Sequence, residues 1–388
     1  MKKLIFDIEI TGHHSEYIRH LIDYLHEFHD NHIYFFVVHP NFHKRFPDIS
    51  SKAARTKNIT IILSTQKEFT DSQKSNLIKK SFFNYRLMHK YAKYYNTEEV
   101  LLLYFNIFQL AFIFYRPSFS VRGILFLQFL RMETNTLKEK LKYYRKYFIT
   151  KLYSINPCIR SVYVLNDCKT TFFLNDRFNT KIFNILPDPI PILKPLSGFN
   201  IYANYNIDLS NKIFLHIGSL GERKGTFEVI ESSLHIPLEL QNKITILLVG
   251  KIKNELENRY LHKKIKEFRE RSSVNIIWDD QFVSNELMKS LFDQCFAVLM
   301  PYKTSETSSG ILGHAAAANK NVIATGKGLL QELITENELG LLINNVSSTL
   351  LAEKIVELLL LKNPSNRKNK VFLEEHTPAI FAKRLLFQ

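Results

Sequence analysis

Cysteine is scarce: Cys158, Cys168 and Cys295 are the only three in 388 residues. Three cannot build a disulfide scaffold or a four-cysteine zinc site, and a reducing, cytoplasmic compartment is the simplest fit. No apolar run reaches the roughly 20 residues that a membrane-spanning helix needs. The nearest, Val100 to Tyr115, contains Asn106 and Gln109 and reads as a buried strand running into a buried helix. The apolar run at the N-terminus carries Asp7 and Glu9, so no secretory signal is expected there. Short-period repeats, zinc-finger spacings and RNA-recognition sequences are missing as well. What is there is ordinary globular composition, 45% hydrophobic and 23% charged, which excludes disorder as the main description.

Acid is thin in one half only. Residues 1–190 hold 28 Lys+Arg against 16 Asp+Glu, a net of +12, whereas residues 191–388 hold 24 against 21, a net of +3. Most of the total of +15 therefore lies in the first half. Such asymmetry points that half toward an anionic partner: nucleic acid, an acidic membrane surface or a phosphorylated substrate.

Short runs rich in Val, Ile, Leu and Phe alternate with amphipathic segments along the whole chain. Lys3–Ile10, Ile33–Val38, Ile59–Leu63, Glu99–Phe105, Ile124–Phe129, Ser161–Leu165 and Ile182–Leu186 read as strands. Helices are predicted over Ser15–His29, Asp71–Tyr95 and Leu137–Leu152. Strands apolar on both faces and separated by helices imply βαβ units and a layered α/β sheet. Pro187, Pro189, Pro191 and Pro195 then mark a linker, since proline stiffens a chain and cannot donate within a sheet. After it the pattern restarts, with strands at Lys212–Ile217, Ile244–Val249, Val274–Trp278, Ala297–Met300 and Asn321–Ala324. The expected domains are 1–190, 191–365 and a C-terminal tail, 366–388, packing back on the first. Ligands of open α/β sheets bind beyond the carboxyl ends of strands, so chemistry is sought in the loops there.

Two such loops stand out in the second half. Ile213–Ile217 ends at Gly218-Ser-Leu-Gly-Glu-Arg-Lys-Gly225, which leads into a helix. Glycines let a ligand approach the backbone, and Arg223 and Lys224 supply charge for an anion. Further on, Met300-Pro-Tyr-Lys-Thr-Ser-Glu306-Thr-Ser-Ser-Gly310 runs into a helix bearing His314 and four consecutive alanines. Thr307, Ser308, Ser309 and Gly310 are placed to present amides to an anion; the same residues also suit a serine-capped helix with an ordinary histidine.

These tracts occur in order with Leu247-Leu-Val-Gly250, Phe282-Val283, Asn321-Val-Ile-Ala324, Gln331-Glu-Leu-Ile334 and Glu338-Leu-Gly-Leu-Leu-Ile343. Together they resemble the nucleotide-sugar-binding half of glycosyltransferase family 4. The resemblance implies a GT-B fold, two Rossmann-like domains facing a central cleft, with the sugar nucleotide held by the C-terminal one. It implies that Lys224 neutralises the donor diphosphate and that Glu306, the first acid of a motif of two glutamates eight apart, lies near the transferred sugar. Ser308, Ser309, Gly310 and Ile311 fall on the family's amide loop, Gly218 and Gly250 on its glycine turns, and Phe282 and Val283 beside its base. Two positions depart from the pattern. Ser219 stands where many members carry arginine, with Arg223 next door, and His314 stands where the second glutamate belongs. A neutral imidazole has one acceptor nitrogen where a carboxylate accepts two hydroxyls, so ribose recognition is expected to differ.

The first half resembles the family loosely, through Thr11-Gly-His-His-Ser15 after the first strand. Gly12 lets a substrate approach, and His13 or His14 meets donor phosphate or acceptor hydroxyl, His13 being the catalytic candidate. No third ligand stands at supporting spacing, so no metal site is expected. Arg131, Asn166 and Asp167 are candidates by position after strands. In Leu137–Leu152, Leu137, Leu141, Tyr144, Phe148 and Leu152 form one stripe and lysines crowd the rest. Packing of that stripe on a core is preferred to an interfacial helix, with the basic residues still available to attract a lipid-linked phosphate.

The reading is a hexosyltransferase-type enzyme that moves a sugar from a nucleotide diphosphate to a hydroxyl of a glycan or lipid-linked acceptor in surface polysaccharide assembly. By resemblance it is retaining and metal-independent, with no cofactor beyond the sugar nucleotide. Peripheral contact with an anionic membrane through the basic first half, at the inner face of the cell membrane, is a further expectation. The rivals are a GT-B epimerase or hydrolase, which consumes donor without acceptor, and a nucleic-acid-binding protein.

Overall fold

The computed structural model of the chain describes residues 1–28, 30–73, 76–126, 128–304, 309–361 and 369–387. They divide into two compact units, Met1–Asp188 with Pro378–Gln388, and Pro189–Thr377.

The first unit is built on strands β1 (Lys2–Asp7), β2 (Ile33–Val38), β3 (Ile59–Leu63), β4 (Glu99–Leu102), β5 (Ser120–Leu125), β6 (Ile159–Leu165) and β7 (Phe183–Leu186). All pair in parallel, in the order β3-β2-β1-β4-β5-β6-β7. The second unit holds β8 (Lys212–Ile217), β9 (Ile244–Val249), β10 (Asn275–Asp279), β11 (Ala297–Met300), β12 (Asn321–Thr325) and β13 (Gly340–Ile343). These too are parallel, in the order β10-β9-β8-β11-β12-β13. Counted from its own first strand, each sheet runs 3-2-1-4-5-6, the Rossmann order, with a seventh strand added beyond the sixth in the first unit. Its switch point falls between β1 and β4 in one unit and between β8 and β11 in the other.

Side chains of a strand alternate between faces, and here both faces are covered. Along β8, Ile213, Leu215 and Ile217 enter one apolar core with Val249 and Met300, while Phe214 joins the opposite core with Ile246 and Leu299. In the first unit Leu4 and Phe6 of β1 pack on one side and Ile5 on the other. Such double burial explains why the strands read as continuous apolar runs.

Several elements depart from the sequence reading. The expected helix Asp71–Tyr95 is two, Gln66–Ser72 and Leu77–Tyr94, because capping groups start each separately. Thr65 and Glu68 form a reciprocal capping box, and the Asn76 side chain accepts from the amides of Ile78 and Lys79. The fifth strand lies at Ser120–Leu125, earlier than Ile124–Phe129. The lysine-rich helix spans Leu137–Ser154, and its stripe from Leu137 to Leu152 is exposed rather than packed. The helix is held instead by Tyr143, Tyr147, Tyr153 and its buried Thr150 and Ser154.

The last helix, Pro378–Phe387, belongs to the first unit, with Phe381, Ala382, Leu385 and Leu386 in its core. A helix end leaves carbonyls without intrahelical donors. Here the Leu386 carbonyl accepts from Lys3 Nζ at 2.6 Å and Arg122 Nη2 at 3.2 Å, both buried. Glu99 pairs with both cations and compensates their charge.

Candidate functional site

At the second unit's switch point the loops after β8 and β11 are joined to each other. The β8 loop turns through a short helical segment, Glu222–Lys224, and leaves it at Gly225 with φ +70°. A Cβ on Gly225 would stand 2.1 Å from the Pro301 carbonyl oxygen, so only glycine permits this approach. The amide of Lys303 donates to the Arg223 carbonyl at 3.0 Å. Lys303 Nζ pairs with Glu222 and, at 2.6 Å, with Glu228. Gly250, which follows β9, has φ +139°, and a Cβ there would lie 1.8 Å from the Gly218 carbonyl oxygen.

A buried chain of hydrogen bonds fixes the turn from below. His216 Nδ1 lies 2.9 Å from the Leu299 carbonyl and its Nε2 3.0 Å from Thr226 Oγ1, which accepts from the Gly221 amide at 2.9 Å. Burial pushes the His216 pKa down to about 4, so the ring is neutral. A carbonyl can only accept, so Nδ1 carries the proton and Nε2 receives the threonine hydroxyl. His216 and Thr226 were not singled out in the sequence, because a histidine inside an apolar strand gives no outward signal of its partner ten residues later.

On this platform Lys224 is half-buried, and its Nζ sits 3.6 Å from the centre of the Tyr302 ring. The Tyr302 hydroxyl is hydrogen-bonded to the Ser309 side chain, immediately before the helix Gly310–Ala317. Lys224, Tyr302 and Ser309 therefore form one contiguous set beyond the carboxyl ends of β8 and β11. Burial, with Arg223 beside it, pushes the Lys224 pKa down to about 7. No carboxylate pairs with Lys224 among the described residues. A half-buried cation without a counter-charge is held at a cost that an anion offsets when it binds.

The other expected residues are placed as follows. Glu306, Thr307 and Ser308 lie outside the described residues. Ser219 and Arg223 are exposed, and the space beside Gly218 is open. Ile311 is partly buried against the unit's core, and His314 stacks on Phe292 with ring centres 5.6 Å apart. Phe282 is 85% exposed, whereas Val283 packs on the core.

In the first unit Gly12 precedes the helix His13–Glu27, and His13 is exposed, stacked on Tyr17. His14 is the engaged member of the pair: its Nδ1 is 2.7 Å from Asp7 Oδ2 at the end of β1. Tyr104, just past β4, meets its ring edge-on at 5.4 Å and Phe126 stacks at 6.1 Å. Burial alone lowers an imidazole pKa; the hydrogen bond and charge of Asp7 outweigh it and hold His14 above its ordinary value. The signal for His14 was an aspartate ending the first strand seven residues upstream. Arg131 makes a two-pronged contact with Asp167, 2.6 Å from Nε and 2.8 Å from Nη2, and Asp167 also caps the helix Cys168–Phe178 through Thr170. Asn166 Oδ1 accepts from the Asp188 amide at 2.7 Å. Among the described residues no three His, Cys, Asp or Glu side chains gather as a metal site.

Comparison with known proteins bears on the second unit directly. Residues 200–371 match the family described as glycosyl transferases group 1. Residues 200–371, within the second unit, thus carry a group 1 glycosyltransferase domain. No curated protein matches the chain in sequence. Among solved structures, WaaG, a glycosyltransferase involved in lipopolysaccharide biosynthesis, superposes with TM-score 0.66 at 15% identity, covering 100% of both chains. HepE from Anabaena, solved with UDP-glucose, gives 0.66 at 14% identity over 99% of this chain and 98% of its own. Sucrose-phosphate synthase from Thermosynechococcus elongatus gives 0.68 at 15% over 99% and 95%. At such identities the likeness shows the fold alone, and that fold is GT-B: two parallel-sheet α/β units.

Proposed function

We propose that this glycosyltransferase moves a sugar from a nucleotide diphosphate to a hydroxyl of a glycan or lipid-linked acceptor. The observation that carries the reading is Lys224: a half-buried ammonium, without a carboxylate partner among the described residues, set over Tyr302 at the switch point of a Rossmann sheet. As the bond between the anomeric carbon and the diphosphate oxygen breaks, negative charge gathers on the departing group. Lys224 and Arg223 neutralise it, and the amides where the helix Gly310–Ala317 begins add fixed dipoles. Tyr302 restricts the lysine to one side, and the His216–Thr226–Gly221 chain keeps the turn rigid, so little reorganisation accompanies the reaction.

On this reading no metal is required, because the lysine supplies the positive charge that a divalent ion supplies elsewhere. The anomeric configuration is retained, with the acceptor hydroxyl attacking from the face the diphosphate leaves and its proton passing to the departing phosphate oxygen. The HepE complex with UDP-glucose supports a uridine donor, and the lipopolysaccharide role of WaaG supports surface polysaccharide assembly. The three cysteines are unpaired thiols, in keeping with a cytoplasmic site of action.

The test is a thermal-shift panel with UDP, GDP, ADP and their sugars, since a ligand of the folded state alone raises apparent stability. One base series is expected to raise the melting temperature of the wild type and to leave Lys224→Met unmoved. A panel in which no nucleoside diphosphate shifts the wild type refutes the reading.

A further inference from the structure

The helix Leu137–Ser154 presents two faces of opposite use. One is fixed to the first unit. Tyr143 and Tyr147 meet Phe129 edge-on at 5.1 Å and 5.6 Å, Tyr147 meets Phe178 at 5.2 Å, and Tyr153 is fully buried. The other face is apolar and covered by nothing among the described residues. Leu137, Leu141, Tyr144, Phe148, Leu152 and, just past the last turn, Ile155 are 45% to 75% exposed. At 100° per residue they fall within a stripe roughly 80° wide. Single exposed leucines are unremarkable, but six large apolar side chains in one line form a continuous patch.

Charge decides what such a patch fits. On the same helical projection Lys140 and Lys151 border one side of the stripe, and Lys138, Lys142 and Arg145 the other. None of these five forms an ion pair among the described residues. The helix's one acid, Glu139, is used in its cap: its carboxylate accepts from the Thr136 amide at 2.8 Å while its own amide donates to Thr136 Oγ1 at 3.2 Å. The exposed face is thus apolar along its centre and cationic on both borders. Against a second copy of the same face these borders would repel. Against acyl chains below an anionic headgroup layer, both parts of the face are satisfied at once. No helix among the described residues is long and apolar enough to cross a membrane, so the helix lies on the surface rather than spanning it.

We propose that the helix Leu137–Ser154 docks the first unit onto an anionic lipid leaflet, with Leu137, Leu141, Tyr144, Phe148 and Leu152 entering the acyl boundary. The inference rests on this helix alone and stands independently of the donor-site reading.

The experiment is co-sedimentation of the full chain with vesicles of one-third phosphatidylglycerol in phosphatidylcholine, compared with pure phosphatidylcholine. Wild type is expected to bind the anionic vesicles, to bind neutral ones about ten-fold less, and to detach as salt rises. The double variant Leu141→Glu/Phe148→Glu is expected to lose about ten-fold or more of that partition with an unchanged thermal melt, because both side chains are exposed. Lys138→Gln/Lys142→Gln, which leaves the apolar stripe intact, is expected to lose the preference for anionic vesicles. Absence of vesicle binding overturns the proposal, as does equal binding by wild type and the glutamate variant. A wild-type dimer that the glutamate variant converts to monomer, with no vesicle binding, overturns it in favour of a second copy as the occupant.

Discussion

Replacing Lys224 with methionine is expected to make the protein more stable and unable to hold a diphosphate. In the folded chain the ammonium's pKa is lowered from 10.5 to about 7 by burial and by Arg223. At 1.36 kcal/mol per pH unit this is about 5 kcal/mol of disfavoured charge. The Tyr302 face returns about 1–2 kcal/mol as a cation–π contact, and the side chain's partial exposure reduces the remainder further, leaving about 2–3 kcal/mol. Methionine keeps much of the aliphatic stem and removes the charge, so the second unit's melting temperature should rise by about 5–10 °C. The sign depends on pH. Below about pH 7 both folded and unfolded lysine carry the proton, and the whole cost weighs on the wild type. Between about pH 7 and 10.5 the folded state sheds a proton that the unfolded state keeps, so wild-type stability rises relative to the variant and the gap closes. Calorimetric melts of both proteins at about pH 6 and pH 9, without nucleotide, measure this. A variant that melts lower than wild type at the acidic pH, or a gap that does not narrow with rising pH, refutes the reasoning.

Other substitutions probe the supports. Glu99→Gln leaves Lys3 and Arg122 without their carboxylate and should cost about 3–5 kcal/mol, read by urea denaturation as an earlier first-unit transition. Gly225→Ala forces a Cβ toward the Pro301 carbonyl in a left-handed backbone; a loss above about 2 kcal/mol and weaker nucleotide binding are expected. In Asp7→Asn the imidazole of His14 loses its carboxylate while remaining partly buried. Its pKa by NMR titration should fall from above 6.5 in the wild type to below it.

The strands were legible because both faces of each sheet are covered. Ile33–Val38, Ile59–Leu63, Lys212–Ile217, Ile244–Val249 and Ala297–Met300 read from the sequence with the bounds they have in the structure. Helix boundaries were less visible where a cap rather than a change of composition sets them. Thr65 and Asn76 divide what looks like one amphipathic run after β3. β13 is only four residues long and opens on glycine, so the sequence shows it as part of a motif rather than as a strand. The helix Leu137–Ser154 shows the limit of periodicity most clearly. Spacing reveals that leucines and aromatics share a line, but not which line meets the core; tyrosines with polar-looking neighbours do the packing instead.

The site was legible to the same degree. A strand ending in glycines and a lysine marks the β8 turn from sequence, as does the serine-rich start of the helix Gly310–Ala317. That Tyr302 connects them is a matter of two loops brought together by the pairing of β8 with β11, strands far apart in the sequence. Likewise the sequence reading takes His13 as the catalytic candidate of the pair, whereas in the structure His14 is the one engaged by an acid. Only the position of Asp7 at the end of β1 distinguishes them, since the helix turns His14 toward it and His13 toward Tyr17.

Titration calorimetry of UDP, and of uridine as the phosphate-free control, against wild type and Lys224→Met tests the account most directly. The account predicts that wild type binds the diphosphate about a hundred-fold more tightly than the variant, with proton uptake at about pH 8 as the lysine is recharged, while uridine distinguishes the two proteins little. Equal affinity of both proteins for the diphosphate, or binding without proton uptake, would contradict it.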